Sequence, residues 1–279
     1  MANARIVTDS SCELPPDISD QLQITVLPWR VRVGAQMHGD SAALRTAEHY
    51  REMIDGKLLP SAAPPTAAEF GRVFEALTSE TDQIIVVAPS AKLARIVAAA
   101  QQARQAFLGR CVIQVLDSTF IGRTMGILVE QAALLAQQGA TANEIVRQTS
   151  GLIPRSYLAI YTDSLATMAQ KGLVDDRDEE VRGTPSYRPL LLVEDGQVVP
   201  LQRSRKRGAP SERIIEFIGE FRSLSQLYYL HNGQSSLMDE IKAAMAEARP
   251  DQPYQEHIYG PVFASLMGVR AFGVAAFEA

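Results

Sequence analysis

The sequence holds few of the residues that redox, metal or membrane chemistry needs. Cysteine occurs twice, at Cys12 and Cys111, far apart and each near a predicted strand. That usage predicts free thiols in a reducing compartment rather than a disulfide framework. The four histidines, His38, His49, His231 and His257, are scattered. None forms His-x-His or His-Glu-x-x-His, and no cysteine pair has ligand spacing, which argues against a metal site. The chain lacks a Walker phosphate loop, a Gly-x-Gly-x-x-Gly turn and a Gly-x-Ser-x-Gly nucleophile elbow. No nucleotide cofactor is therefore expected. No apolar run approaches the roughly 18 residues of a membrane span, and Met1-Ala2-Asn3-Ala4-Arg5 leads into a strand without an apolar leader. These features predict a cytoplasmic protein without integral membrane association. A net charge of -5 argues against general affinity for nucleic acid.

What is present is ordinary globular material. The 279 residues are 46% hydrophobic and 21% charged, enough for one large domain or two smaller ones. Apolar runs of strand length at 5–8, 84–88 and 112–116 alternate with helical stretches at 47–54, 67–77, 92–107, 119–138 and 143–152. Fully apolar strands separated by helices imply a parallel sheet covered on both faces. The segment 24–33 reads as extended with Pro28 at an edge or bulge, and 59–66 as turns. Residues 1–155 thus read as a doubly wound α/β lobe.

The remainder, 156–279, reads as a smaller α+β lobe. It has a strand at 157–162, a short helix at 163–170 and a hairpin turning at Asp195-Gly196. Helices follow at 211–221 and 237–248, around a strand at 226–230. The charged run 175–183 reads as a surface loop.

Polar residues gather where parallel strands end, the usual place for a ligand crevice in open α/β sheets. They are Asp9-Ser10-Ser11, Ser90, and Asp117-Ser118-Thr119. Ligand contact and helix capping both account for Asp117 and Ser118; Ser90 reads as a ligand contact.

In order and spacing, these pieces resemble the DegV family of fatty-acid-binding proteins. The resemblance is carried by Val7-Thr8-Asp9-Ser10-Ser11, Ile24-Thr25-Val26-Leu27-Pro28 with Asp40, and Pro65-Thr66 to Phe70. It continues through Ser90 to Leu93, Val115-Leu116-Asp117-Ser118, Asp163-Ser164-Leu165 and Lys171-Gly172. Pro189-Leu190-Leu191, Gly196 to Arg205, and Gly260-Pro261-Val262 complete it, so it spans essentially the whole chain. It implies a lipid-binding protein that is not an enzyme on its own. A fatty acid would lie with its tail in a cleft between the lobes and its carboxylate held by hydroxyls. The implied partner is a fatty acid kinase that phosphorylates this carboxylate on the carrier. No cofactor is implied.

Carried over residue by residue, the resemblance puts the ligand near Ala63, Thr66, Ser90, Ala94, Arg95 and Arg270. Several of these depart from the family pattern. Its Thr-Ser-x-Pro is Ala62-Ala63-Pro64-Pro65 here, and its Ser-Ser-x-Leu-Ser-Gly-Thr is Ser90-Ala91-Lys92-Leu93-Ala94-Arg95-Ile96. Its His-Thr-Gly-Pro-Gly aligns with Leu266-Met267-Gly268-Val269-Arg270, and its Gly-Gly-Arg with Lys171-Gly172-Leu173. Hydroxyls are lost, while Arg95 and Arg270 replace glycines. These arginines read either as an anion clamp or as side chains filling a disused site or facing solvent. The run Arg203-Ser204-Arg205-Lys206-Arg207 reads either as a solvated loop or, through Arg205, as a kinase-docking point. Two other readings stand beside the carrier: a hydrolase or transferase using Asp9, Ser10, Ser11, Ser90 and Asp117, and a regulatory paralogue with a closed pocket.

Overall fold

The computed structural model describes residues 3–162, 165–174, 190–201 and 209–279. The expected loop 175–183, Asp163-Ser164, Pro189 and the basic run with Arg205 lie outside the described residues. The chain forms two compact units: Met1–Ala42 with Ser61–Pro154, and Ala43–Pro60 with Arg155–Ala279.

The first unit is built on a parallel sheet of β1 (Arg5–Asp9), β2 (Thr25–Leu27), β6 (Gln83–Ala88) and β7 (Val112–Asp117) in the order β2-β1-β6-β7. Burial follows from the apolar runs, with Ile84, Ile85, Val86, Val87 and Ala88 fully enclosed. The chain moves from β1 to β2 on one side and later from β6 to β7 on the other. Right-handed crossovers in opposite directions place helices on both faces, as expected for a doubly wound sheet. Helices α1 (Pro16–Gln21), α3 (Ala67–Leu77), α4 (Ile96–Arg104), α5 (Arg123–Gln137) and α6 (Ala142–Ser150) provide this cover. Both α3 and α6 open on a threonine capping box, Thr66 with Glu69 and Thr141 with Glu144, which satisfies amides the helix leaves unpaired.

Four expectations are corrected here. The segment 24–33 is not one strand. It divides at Pro28-Trp29 into β2 and β3 (Arg30–Val33), and β3 joins a separate antiparallel sheet with β4 (Gln36–Gly39) and β5 (Ser61–Ala63). The turn-rich segment 59–66 therefore contains a strand, β5, held by pairing with β3. Helix α4 begins at Ile96, not at Lys92, because the Ser90 carbonyl draws the Leu93 and Ala94 amides into a tight turn. Helix α5 begins at Arg123, not at Thr119. Thr119 is left-handed (φ 59°) and Gly122 also has positive φ (68°), so the chain breaks before the helix can start.

The second unit is a six-stranded mixed sheet with the order β10-β9-β8-β13-β11-β12. Its strands are β8 (Ser156–Tyr161), β9 (Leu190–Glu194), β10 (Gln197–Pro200), β11 (Leu224–His231), β12 (Gln255–Ile258) and β13 (Phe272–Glu278). Asp195 and Gly196 both have positive φ (48° and 77°), the turn geometry that matches strand twist in a two-residue hairpin. Helices α7 (Leu165–Gln170), α8 (Pro210–Gly219), α9 (Ser236–Ala248) and α10 (Pro261–Met267) belong to this unit. Ile214, Phe217, Ile218, Met238 and Ile241 of α8 and α9 form its core with Tyr229, Phe272 and Val274 of the sheet. Ala43–Pro60, expected in the first lobe from its place in the chain, packs with this unit and makes it no smaller than the first. The cause is α2 (Ala47–Asp55): its Tyr50 hydroxyl donates to the Tyr259 carbonyl at 2.8 Å, and the two rings meet edge to face. Gly233 lies so near Ala47 that a Cβ there would come within 2.6 Å of the alanine methyl.

Candidate functional site at the carboxyl edge of the parallel sheet

The direction of winding reverses between β1 and β6, and ligands of open α/β sheets sit at such a switch point. The three polar clusters read from the sequence meet at this edge. Ser90 N donates to the Phe120 carbonyl (2.8 Å), and Ser118 N to the Ala88 carbonyl (3.0 Å). Asp117 accepts from Ala91 N at 3.2 Å and from Thr119 N at 2.8 Å. Gly122 N in turn donates to the Ser11 carbonyl at 2.8 Å. The loops after β1, β6 and β7 thus form one hydrogen-bonded platform. Asp117 and Ser118 act as turn builders: the Ser118 hydroxyl accepts from Phe120 N at 3.2 Å. Thr119, a β-branched residue held at positive φ, is strained in the place where strain tends to accompany function.

Asp9 is the most perturbed group of the platform. It is fully buried at the end of β1, and its Oδ1 accepts from Ser11 N (3.0 Å) and from the Trp29 indole (2.6 Å). Trp29 N donates to the Ser10 hydroxyl at 3.0 Å, so the β2–β3 break wraps its tryptophan around the first strand end. Burial pushes the Asp9 carboxyl up from 3.8 to about 6, against the lowering pull of Ser11 and Trp29. The Ser11 hydroxyl faces the Asp9 carboxylate, while Thr124 Oγ1 is buried without a hydrogen-bond partner. They lie on the two segments joined by the Gly122–Ser11 bond, where α5 begins on a glycine without a side-chain cap. Buried polar atoms are normally paired, so this corner has hydrogen-bonding capacity for ordered water or a polar head group.

The other residues expected at a ligand fall into separate local settings. Ser90 is buried, and its hydroxyl accepts from Lys92 N at 3.2 Å. Ala94 is buried just before α4, and Arg95 is exposed at its N-cap without a side-chain capping bond. Ala63 pairs with Arg30 between β5 and β3. The exposed Thr66 hydroxyl donates to Glu69 at 2.7 Å, and Arg30 bridges to Glu69 at 2.8 Å. These bonds, led by Thr66, hold the Glu69 carboxyl below its usual range. In the second unit, the segment matching the family's His-Thr-Gly-Pro-Gly is pinned. Thr162 donates to the Met267 carbonyl at 2.6 Å, Asn232 to the Val269 carbonyl at 2.9 Å, and Lys171 to the Ser265 carbonyl. Arg270 follows, exposed.

Trp29, Thr124 and Gly126, which packs in α5 directly against the Cys12 carbonyl, carry weight that sequence reading missed. A mid-helix glycine was the available signal for Gly126, because such residues often mark close packing. For Trp29 the signal was its being the single tryptophan, beside Pro28. Among the described residues, no group of three or more His, Cys, Asp or Glu could hold a metal ion. No helix among them is long and apolar enough to cross a membrane. Cys12 and Cys111 are not joined in a disulfide.

These features define an α/β protein with a hydrogen-bonded polar platform at its parallel strand ends. The family model described as "Uncharacterised protein, DegV family" matches residues 3–279, and the chain belongs to the DegV family. A DegV domain-containing protein of Caldanaerobacter subterraneus subsp. tengcongensis is 27% identical over 88% of this chain and 88% of its own. A fatty acid binding DegV family protein from Streptococcus agalactiae superposes with a TM-score of 0.86, at 18% identity and 100% coverage of both chains. A DegV family protein from Thermus thermophilus, described for its fatty acid binding, gives 0.84 at 21% identity, covering 99% of this chain and 100% of its own.

Proposed function

We propose that this chain binds a fatty acid and serves as a carrier or sensor, presenting the acyl chain to a partner rather than turning it over. The supporting observation is that full-length structural relatives described as fatty-acid-binding share its fold from end to end. In this reading Ser90 supplies the surviving head-group hydroxyl, and Thr66 stands near the polar end. Ala63 and Ala94 line the site, and Arg95 favours an anionic head. Burial of the tail contributes about 0.8 kcal/mol per methylene, which offsets the hydroxyls lost at Ala62 and Ala63. A carrier role also suits the chemistry of the platform. Ser11 and Asp9 are enclosed, with no histidine in reach through any described hydrogen bond to act as base. The partner is a fatty acid kinase acting on the carboxylate, with Arg205 as a docking point.

Protein purified, denatured and extracted is expected to release a fatty acid near one equivalent by mass spectrometry. Ser90→Ala should weaken binding of a free fatty acid by roughly tenfold, the loss of one hydrogen bond to a charged group. Binding of the methyl ester should change little. Equal loss for acid and ester, with unchanged melting, would remove Ser90 from the head-group role.

A further inference from the structure

The second unit holds a cavity of about 360 Å³ beside α2 and the start of α9. Its apolar floor is Phe272 of β13 and Tyr161 of β8, which lie directly opposite each other in the sheet register and therefore share one face. Ile54 and Leu237 extend this apolar lining. Two guanidiniums from distant segments, Arg51 on α2 and Arg270 before β13, also line it. Among the described residues, neither makes a hydrogen bond or ion pair. Asp55 is the one carboxylate in the lining. One helical turn after Arg51 and exposed, it offsets a single guanidinium only weakly. Buried Asn232 stiffens the wall by bonding the Val269 carbonyl and Gln234 N.

From this arrangement we infer that the cavity binds a phosphate monoester carrying a compact apolar or aromatic group. A phosphate dianion offers oxygens to two planar forks at once, which a carboxylate matches less well. The Tyr161–Phe272 floor takes the organic substituent. The site stands apart from fatty-acid binding and gives Arg270 a partner in its own unit.

Calorimetric titration of the full chain with phenyl phosphate, inorganic phosphate and benzoate tests this. Phenyl phosphate is expected to bind saturably and at least tenfold more tightly than either of the others. Arg51→Gln and Arg270→Gln should each weaken it by about tenfold or more, while Arg222→Gln, a surface charge elsewhere in the unit, leaves it unchanged. Arg51→Gln should also retain fatty acid like the parent, so failure here is distinct from failure of the lipid reading. Non-saturable binding, or equal affinity in the Arg51 and Arg270 variants, would overturn the site. Benzoate binding as tightly as phenyl phosphate would overturn its phosphate preference.

Discussion

Gly126→Ala is expected to destabilise the protein by about 1–3 kcal/mol, the usual range for overpacking a tight core. A Cβ at this position would come within 2.4 Å of the Cys12 carbonyl oxygen and 3.0 Å of the Arg123 guanidinium. The nearer neighbour is backbone and cannot rotate away. It is also fixed on both sides, because Glu13 N donates to the Ser10 carbonyl and Gly122 N to the Ser11 carbonyl. Moving α5 away would break the bond that joins α5 to the β1 loop. In an open helix, alanine would instead gain about 1 kcal/mol over glycine. Gly71 in α3 provides that control, since an added Cβ there meets nothing within 4 Å. Urea unfolding should show Gly71→Ala more stable than the parent and Gly126→Ala less. A stabilised Gly126→Ala would show that α5 does not sit against Cys12 as described.

Titration of Asp9 is expected to dominate the acid end of the stability profile. Its folded carboxyl is raised from 3.8 to about 6 by burial, so the folded protein holds this proton more tightly than the unfolded chain. Its contribution is therefore full below about pH 4 and is lost as pH rises to about 6, with a flat region above. The size is on the order of 3 kcal/mol, superimposed on the opposite trend of lowered carboxylates such as Glu69. Trp29 reports the event directly, as the single tryptophan with its indole on the Asp9 carboxylate. Its emission should change with a midpoint near pH 6. In Asp9→Asn the midpoint should vanish, and stability at pH 8 should rise, because the amide keeps an acceptor for Trp29 without a buried charge. An unchanged midpoint in that variant would assign the titration to another group.

Elements with strong periodicity or a buried apolar run were legible from the sequence. Helix α3 opens on Thr66 with Glu69 three residues on, and both ends coincide with the amphipathic pattern. Strand β6 carries five apolar residues in a row, Ile84 to Ala88, and Asp195-Gly196 announces its hairpin. What escaped reading was structure made by pairing rather than pattern. Strands β4 and β5 are short, with Gln36-Met37-His38-Gly39 mostly polar and Ser61-Ala62-Ala63 small. Only β3 between them makes them strands. The late starts of α4 and α5 escaped for a related reason: Lys92 to Arg95 favour helix, but hydrogen bonds to Ser90 and Asp117 hold both loops in turns. Likewise, the membership of Ala43–Pro60 in the second unit rests on Tyr50 meeting Tyr259, a contact across 209 residues. At the site, Asp9, Ser90 and Asp117 stood out as polar residues ending apolar strands. The Trp29 link and the glycine contact at α5 depend on three-dimensional approach: a single tryptophan and a mid-helix glycine mark the positions but not the partners they meet.

Fatty-acid binding is tested most directly by the lipid the protein carries. Mass spectrometry of organic extracts from purified, denatured protein should find a fatty acid near one equivalent, and delipidated protein should rebind a fluorescent fatty acid stoichiometrically. Extracts without stoichiometric lipid, together with no rebinding, would contradict the account.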